Sequence, residues 1–174
     1  MQLEPSQFYH LYNRSNRGLI VYQTVSNYNY FLSKVEKEWK SYFDIIAYCL
    51  MPTHFHFIIQ TPADIKTPKA NYAVGKLLSS YTRSMNKEFD THGSLFQRKT
   101  SAINLCPDEI EFREIFSPNE YARNCFNYIH QNPVVAGLVT KPEDWLYSSY
   151  NEYFGEVKIK GLCNVEMGRK LIGV

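Results

Sequence analysis

The stretch Cys49-Leu-Met-Pro-Thr-His-Phe-His-Phe-Ile-Ile-Gln60 decides how the chain is read. It breaks once, at Met51-Pro52, and then alternates. In a β-strand, side chains two residues apart share a face. His54 and His56 therefore stand side by side, while Phe55, Phe57 and Ile59 turn to the opposite, apolar side. Neutral imidazole is the commonest protein ligand for a catalytic divalent metal, and a strand holds two of them more rigidly than a loop. The tripeptide alone is a weak signal, because half-exposed strands also carry histidines with no metal role.

Outward from this strand, the apolar run Phe43 to Leu50 precedes it and should pair with it as a hairpin. Phe8-Tyr-His-Leu-Tyr-Asn-Arg14 alternates aromatic and polar residues and predicts the first strand. Tyr30, Phe31, Lys34, Val35 and Glu38 place a helix over Asn27 to Trp39, with Ser26 as its cap. Thr61 to Lys69 has two prolines and is expected to be a loop. A long helix follows from about Ala70 to Phe89. Val74, Leu77, Leu78, Tyr81, Met85 and Phe89 form its buried stripe, and Lys76, Arg83 and Lys87 its basic outer face. Ser94 to Leu105 supplies a loop and a fourth strand. The order β-α-β-β-α-β predicts an α+β, ferredoxin-like (split βαβ) fold: an antiparallel sheet against two helices, its other face open. Fold alone names no function.

A third helix carries the other informative pattern. Ser117, Pro118 and Glu120 make a helix start with a capping box. The helix should stop at Asn132, since Pro133 disfavours helical geometry in the residue before it. Tyr121, Asn124, Tyr128 and Asn132 fall on one stripe, leaving Ala122, Cys125, Phe126 and Ile129 to face the core. Two tyrosines and two asparagines are an odd set to bury, and a reasonable one to aim at a metal and a phosphate.

Composition bounds the alternatives. A chain of 174 residues with 44% hydrophobic and 21% charged residues fits one soluble domain spanning residues 1–174. Net charge is +2, and there are 14 Tyr and 11 Phe. Such a balance permits a nucleic-acid partner without requiring one. Cys49, Cys106, Cys125 and Cys163 lie far apart with no C-x-x-C pair, which argues for reduced thiols in a cytoplasmic protein. No signal-peptide pattern and no apolar run of membrane-spanning length is present, so no membrane partner is expected.

Four segments in register carry a resemblance: Met51-Pro-Thr-His-Phe-His-Phe-Ile-Ile59, Gly93-Ser-Leu-Phe-Gln-Arg98, Tyr128-Ile-His-Gln-Asn-Pro-Val-Val-Ala-Gly-Leu-Val139 and Trp145-Leu-Tyr-Ser-Ser-Tyr150. They resemble the single-tyrosine HUH transposases, and among these the REP-associated tyrosine transposases, relatives of the transposases of small insertion sequences. The resemblance covers about residues 7 to 155. It implies a DNA strand-transfer enzyme in which His54 and His56 bind Mg²⁺ or Mn²⁺. Tyr128, five residues before Pro133, would be the nucleophile, on a helix C-terminal to the sheet. Asn132 would be a third metal ligand where the insertion-sequence branch has glutamine. The implied substrate is single-stranded or hairpin DNA, joined to the enzyme as a 5′-phosphotyrosine with release of a 3′-hydroxyl. A free tyrosine hydroxyl, with a pKa near 10, is a poor nucleophile at neutral pH, hence the need for a metal. Arg98, Lys99, Arg83 and Arg14 are the expected phosphate contacts. The insertion-sequence branch works as homodimers and the REP-associated branch need not. Two rival readings remain on residues alone: a non-catalytic ferredoxin-like nucleic-acid-binding module, and a metal-dependent phosphodiesterase that uses water.

Overall fold

A computed structural model describes residues 1–106, 118–155 and 161–173. Four strands form one antiparallel sheet: β1 (Phe8–Arg14), β2 (Asp44–Met51), β3 (His54–Gln60) and β4 (Ser101–Asn104). Their spatial order is β2-β3-β1-β4. Helix α1 (Val25–Trp39) connects β1 to β2, and α2 (Thr67–Glu88) connects β3 to β4. With β1 inserted between β3 and β4, every neighbouring pair runs antiparallel, as the split βαβ order requires.

The hairpin β2–β3 forms because Met51 and His54 flank a two-residue turn at Pro52-Thr53, and proline cannot continue a ladder. Its alternation sorts side chains as the sequence predicts. Phe55, Phe57 and Ile59 join Leu11, Phe31, Trp39 and Leu77 in a core against α1 and α2. Trp39 packs edge-on against Phe57, with ring centroids 5.2 Å apart. Phe57 is fully buried, so Phe57→Ala should cost about 3–5 kcal/mol; urea unfolding of the purified variant would measure it.

Helix boundaries differ from expectation in three places, each with a local cause. Helix α1 is capped by Thr24, not Ser26. The Thr24 hydroxyl accepts from the Asn27 amide, and the Asn27 side chain accepts from the Thr24 amide. This capping box moves the start to Val25. Helix α2 begins at Thr67, inside the expected loop, because Pro68 occupies its first turn, where a missing N–H costs nothing.

The third difference concerns α3 (Pro118–Val135), which does not stop at Asn132 but carries Pro133 inside its last turn. The Ala136 amide donates to the Asn132 carbonyl and the Leu138 amide to the Pro133 carbonyl. The chain thus resumes helical bonding beyond the proline, and the preference against helix before Pro is overridden one turn from the end. Ser117, half of the expected capping box, lies outside the described residues.

The second face of the sheet, expected to be open, is covered over β2 and β3. Helix α3, α4 (Tyr150–Phe154) and α5 (Val165–Ile172) lie there. Ile46, Ala47, Cys49 and Ile58 form a second core with Ala122, Phe126, Ile129, Tyr153 and Leu171. This explains why β2 is apolar on both sides. The Trp145–Ser149 segment runs along the free edge of β2. There the Leu50 amide donates to the Tyr147 carbonyl, the Ser149 amide to the Tyr48 carbonyl, and the Trp145 indole to the Leu50 carbonyl at 3.1 Å. An edge that would otherwise offer unpaired backbone groups is closed. All four cysteines are free thiols. Among the described residues no helix is long and apolar enough to cross a membrane.

Candidate active site

The site forms where the second core gives way to polar residues. On β1 the side chains sharing this face are His10, Tyr12 and Arg14; on β3 they are His54 and His56. The register sets Tyr12 opposite His56 and Arg14 opposite His54. The His54 and His56 rings lie 5.0 Å apart and perpendicular, as the two-residue spacing requires.

Helix α3 brings the tyrosine. Its apolar stripe (Ala122, Phe126, Ile129) seats on β2 and β3, which turns Tyr128 toward the histidines. The Tyr128 ring lies 5.7 Å from that of His56 and 6.5 Å from that of His10, edge-on to both. It remains 51% exposed, so its hydroxyl is open to a large substrate. Asn132 is half-buried one helical turn further on. Tyr121 instead packs against the second core. Burial, with the neighbouring Cys125, raises the pKa of its hydroxyl.

The helix is held from behind. His130 is buried and its Nε2 pairs with the Ser149 hydroxyl at 2.8 Å. The Ser149 hydroxyl also accepts from the Tyr48 amide on β2 at 2.9 Å. Burial pushes the His130 pKa down to about 4. The unfolded chain, with an ordinary histidine pKa near 6.5, binds a proton first. The protein therefore loses stability as pH falls from about 6.5 toward 4, by roughly 3 kcal/mol from this residue at the acid limit. Urea unfolding at stepped pH should show that decline, with a shallower slope in His130→Gln.

The imidazoles at the site are kept neutral. Burial lowers His54, helped by Arg14. It pushes His56 down to about 3, helped by His10, His54 and Arg14. His10 falls to about 4 by burial alone. Neutral rings retain the lone pairs that a cation needs. The Nε2 of His56 and the Nδ2 of Asn132 are buried and without a hydrogen-bond partner. The Asn132 amide can turn over to present Oδ1 in place of Nδ2, so both side chains suit a hard or borderline cation. Among the described residues, no three His, Cys, Asp or Glu side chains gather in a way that could hold a metal. Asn132 offers an amide, a donor outside those four residue types.

The predicted phosphate contacts separate. Arg14 and Lys99 line one open cleft of about 330 Å³ with Tyr12, Asn13, Gln97 and Ser101, beside the histidines. Arg98 faces a different cavity, of about 390 Å³, between α2 and the segment 93–100. Arg83 is exposed on α2, the layer across the sheet from the histidines. Two residues at the site escaped the sequence reading: His10 and Tyr12. The alternation of β1 against β3 could have found them once the register was known.

An antiparallel split-βαβ sheet bearing paired histidines, with a helix-borne tyrosine above them, defines the class. Residues 7–103 match the family described as "Transposase IS200 like". The chain belongs to the IS200-like transposase family, which makes it an enzyme of DNA transposition. The matched residues include His54 and His56 and stop before α3. The chain is 28% identical over 127 residues to a Haemophilus influenzae protein provisionally named a REP-associated tyrosine transposase, covering 71% of this chain and 68% of that one. The fold is shared with a solved REP-associated tyrosine transposase bound to a REP hairpin. That match has a TM-score of 0.59 and 18% identity, and it covers 90% of this chain and 83% of the other.

Proposed function

We propose that this transposase cleaves and rejoins single-stranded or hairpin DNA through a covalent 5′-phosphotyrosine on Tyr128. The observation that carries this reading is the exposed Tyr128 ring standing 5.7 Å from the ring of His56. The Tyr128 oxygen attacks the scissile phosphorus. A new O–P bond forms as the bond to the 3′-oxygen breaks. The phenolic proton leaves to solvent, and the departing 3′-oxygen takes up a proton to become a hydroxyl. Reversal by another 3′-hydroxyl rejoins DNA and frees the tyrosine, so the bond energy is conserved.

His54, His56 and Asn132 would hold Mg²⁺ or Mn²⁺ at this site. When bound, the ion neutralises charge on the phosphate oxygens. Helix α3, seated on the sheet by Phe126 and Ile129, fixes the approach of Tyr128.

Arg14 and Lys99 hold phosphates flanking the scissile one in the cleft beside His54. Binding weakens as salt rises. Lys99→Ala should lower the slope of log affinity against log salt by about 0.7 for a single-stranded oligonucleotide. Fluorescence anisotropy at stepped salt would measure it, and an unchanged slope would remove Lys99 from the DNA path. The function itself is tested with a labelled hairpin oligonucleotide and Mn²⁺: a protein–DNA species should survive denaturing gel electrophoresis. DNA cleavage with nothing attached to protein would favour water as the nucleophile.

A further inference from the structure

His10 was not among the residues the sequence singled out, yet it sits in the site. It lies on β1, diagonal to His56 on β3 and on the same face of the sheet. Its Nε2 stands 2.8 Å from Nδ1 of His56, with ring centroids 5.0 Å apart. Both rings are almost fully buried, at 8% and 3% exposure.

A hydrogen bond between two neutral imidazoles needs one N–H and one lone pair, so only two arrangements exist. In the first, His10 donates, and His56 then carries its own proton on Nε2. That proton would be buried with no acceptor, since the His56 Nε2 has no partner. An orphaned buried donor costs about 1–3 kcal/mol. It would also cover the lone pair a cation requires. In the second, His56 donates from Nδ1 to His10, and its Nε2 presents a bare lone pair toward the Tyr128 side of the sheet. Nothing else among the described contacts fixes the His56 ring: its Nδ1 has His10 and its Nε2 has no partner.

We infer that His10 is a positioning residue that accepts the Nδ1 proton of His56 and so holds His56 in the tautomer whose Nε2 can ligate the metal. The role rests on the metal reading above. Metal-bound histidines ordinarily donate their second nitrogen to a carboxylate, carbonyl or water, an outer partner whose loss costs 10–100-fold in affinity. Here a neutral imidazole, rigid on a paired strand, takes that place. His54 is arranged differently, with its Nδ1 against the adjacent Thr53 hydroxyl at 3.0 Å.

The test reads protonation directly, on metal-free protein with ¹⁵N-labelled histidine near pH 7.5. Two-bond ¹H–¹⁵N spectra should show wild-type His56 protonated at Nδ1 and bare at Nε2. In His10→Leu, which cannot accept, that fixed state should give way to a mixture. In His10→Gln, whose carbonyl oxygen can accept, it should return. Mn²⁺ affinity should follow the same order, falling about 10–100-fold in His10→Leu and recovering most of that in His10→Gln. If His10→Leu does not fold, the wild-type and His10→Gln spectra still decide.

A wild-type His56 protonated at Nε2 overturns the inference, and so does a fixed Nδ1–H state that survives in folded His10→Leu. The failure of the metal reading looks different. Mn²⁺ affinity that His56→Ala does not lower would abolish the metal site, and His10's role with it, whatever tautomer the spectra show.

Discussion

Tyr128→Phe should abolish the covalent protein–DNA adduct while leaving fold, metal binding and DNA binding in place. Only a hydroxyl is removed, and the ring keeps its edge contacts with His10 and His56. A half-exposed site of this kind should shift stability by no more than about 0.5 kcal/mol. Loss of a covalent nucleophile acts on a far larger scale, on the order of 10⁴-fold or more in rate. Two other tyrosines serve as controls. Tyr121 lies seven residues earlier, about 10 Å along the axis, and is turned against the second core. Tyr12 is closer, its ring 6.0 Å from that of His56. Tyr12→Phe and Tyr121→Phe should both still form the adduct. Persistence of the adduct in Tyr128→Phe, with its loss in either control, would move the nucleophile to that residue.

The second large effect is on metal affinity. His56 is the buried member of the pair, and its Nε2 has no protein partner. His56→Ala should weaken Mn²⁺ binding by more than about 100-fold, beyond the 10–100-fold that follows loss of an outer partner. The same substitution leaves the buried Nε2 of His10 unpaired, so about 1–3 kcal/mol of stability should go with it. Calorimetric titration with Mn²⁺ on folded protein, checked by urea unfolding, separates the two effects. Equal affinity in wild type and His56→Ala would take the metal away from this strand.

Alternation and turn residues made the sheet legible. Phe8–Arg14 appears at the expected residues and the histidine strand starts at His54, one residue after the expected Thr53, because each alternates cleanly about a buried face. Helix ends were less legible. Thr24 and Ser26 are both capable caps, and only the reciprocal bond with Asn27 decides between them. Pro133 should have ended α3, but the Asn132 carbonyl still accepts from the Ala136 amide and the helix runs on to Val135. The covering of the second face could not be read either, because it depends on where residues beyond β4 return to the sheet.

At the site, His54, His56 and Tyr128 were singled out from spacing and resemblance together. His10 and Tyr12 were not, because their place beside His56 follows from strand register, which local periodicity does not contain. Arg83 and Arg98 share a charge type with Arg14 and Lys99, and charge alone could not tell which layer each would occupy.

The central claim is that Tyr128 becomes joined to DNA. Mass spectrometry of the digested wild-type adduct, formed with a hairpin oligonucleotide and Mn²⁺, tests it most directly. The expected result is a nucleotide linked through its 5′-phosphate to Tyr128, together with a DNA fragment ending in a free 3′-hydroxyl. A nucleotide on Tyr12, Tyr121 or any other residue, or cleaved DNA with no modified peptide at all, would contradict it.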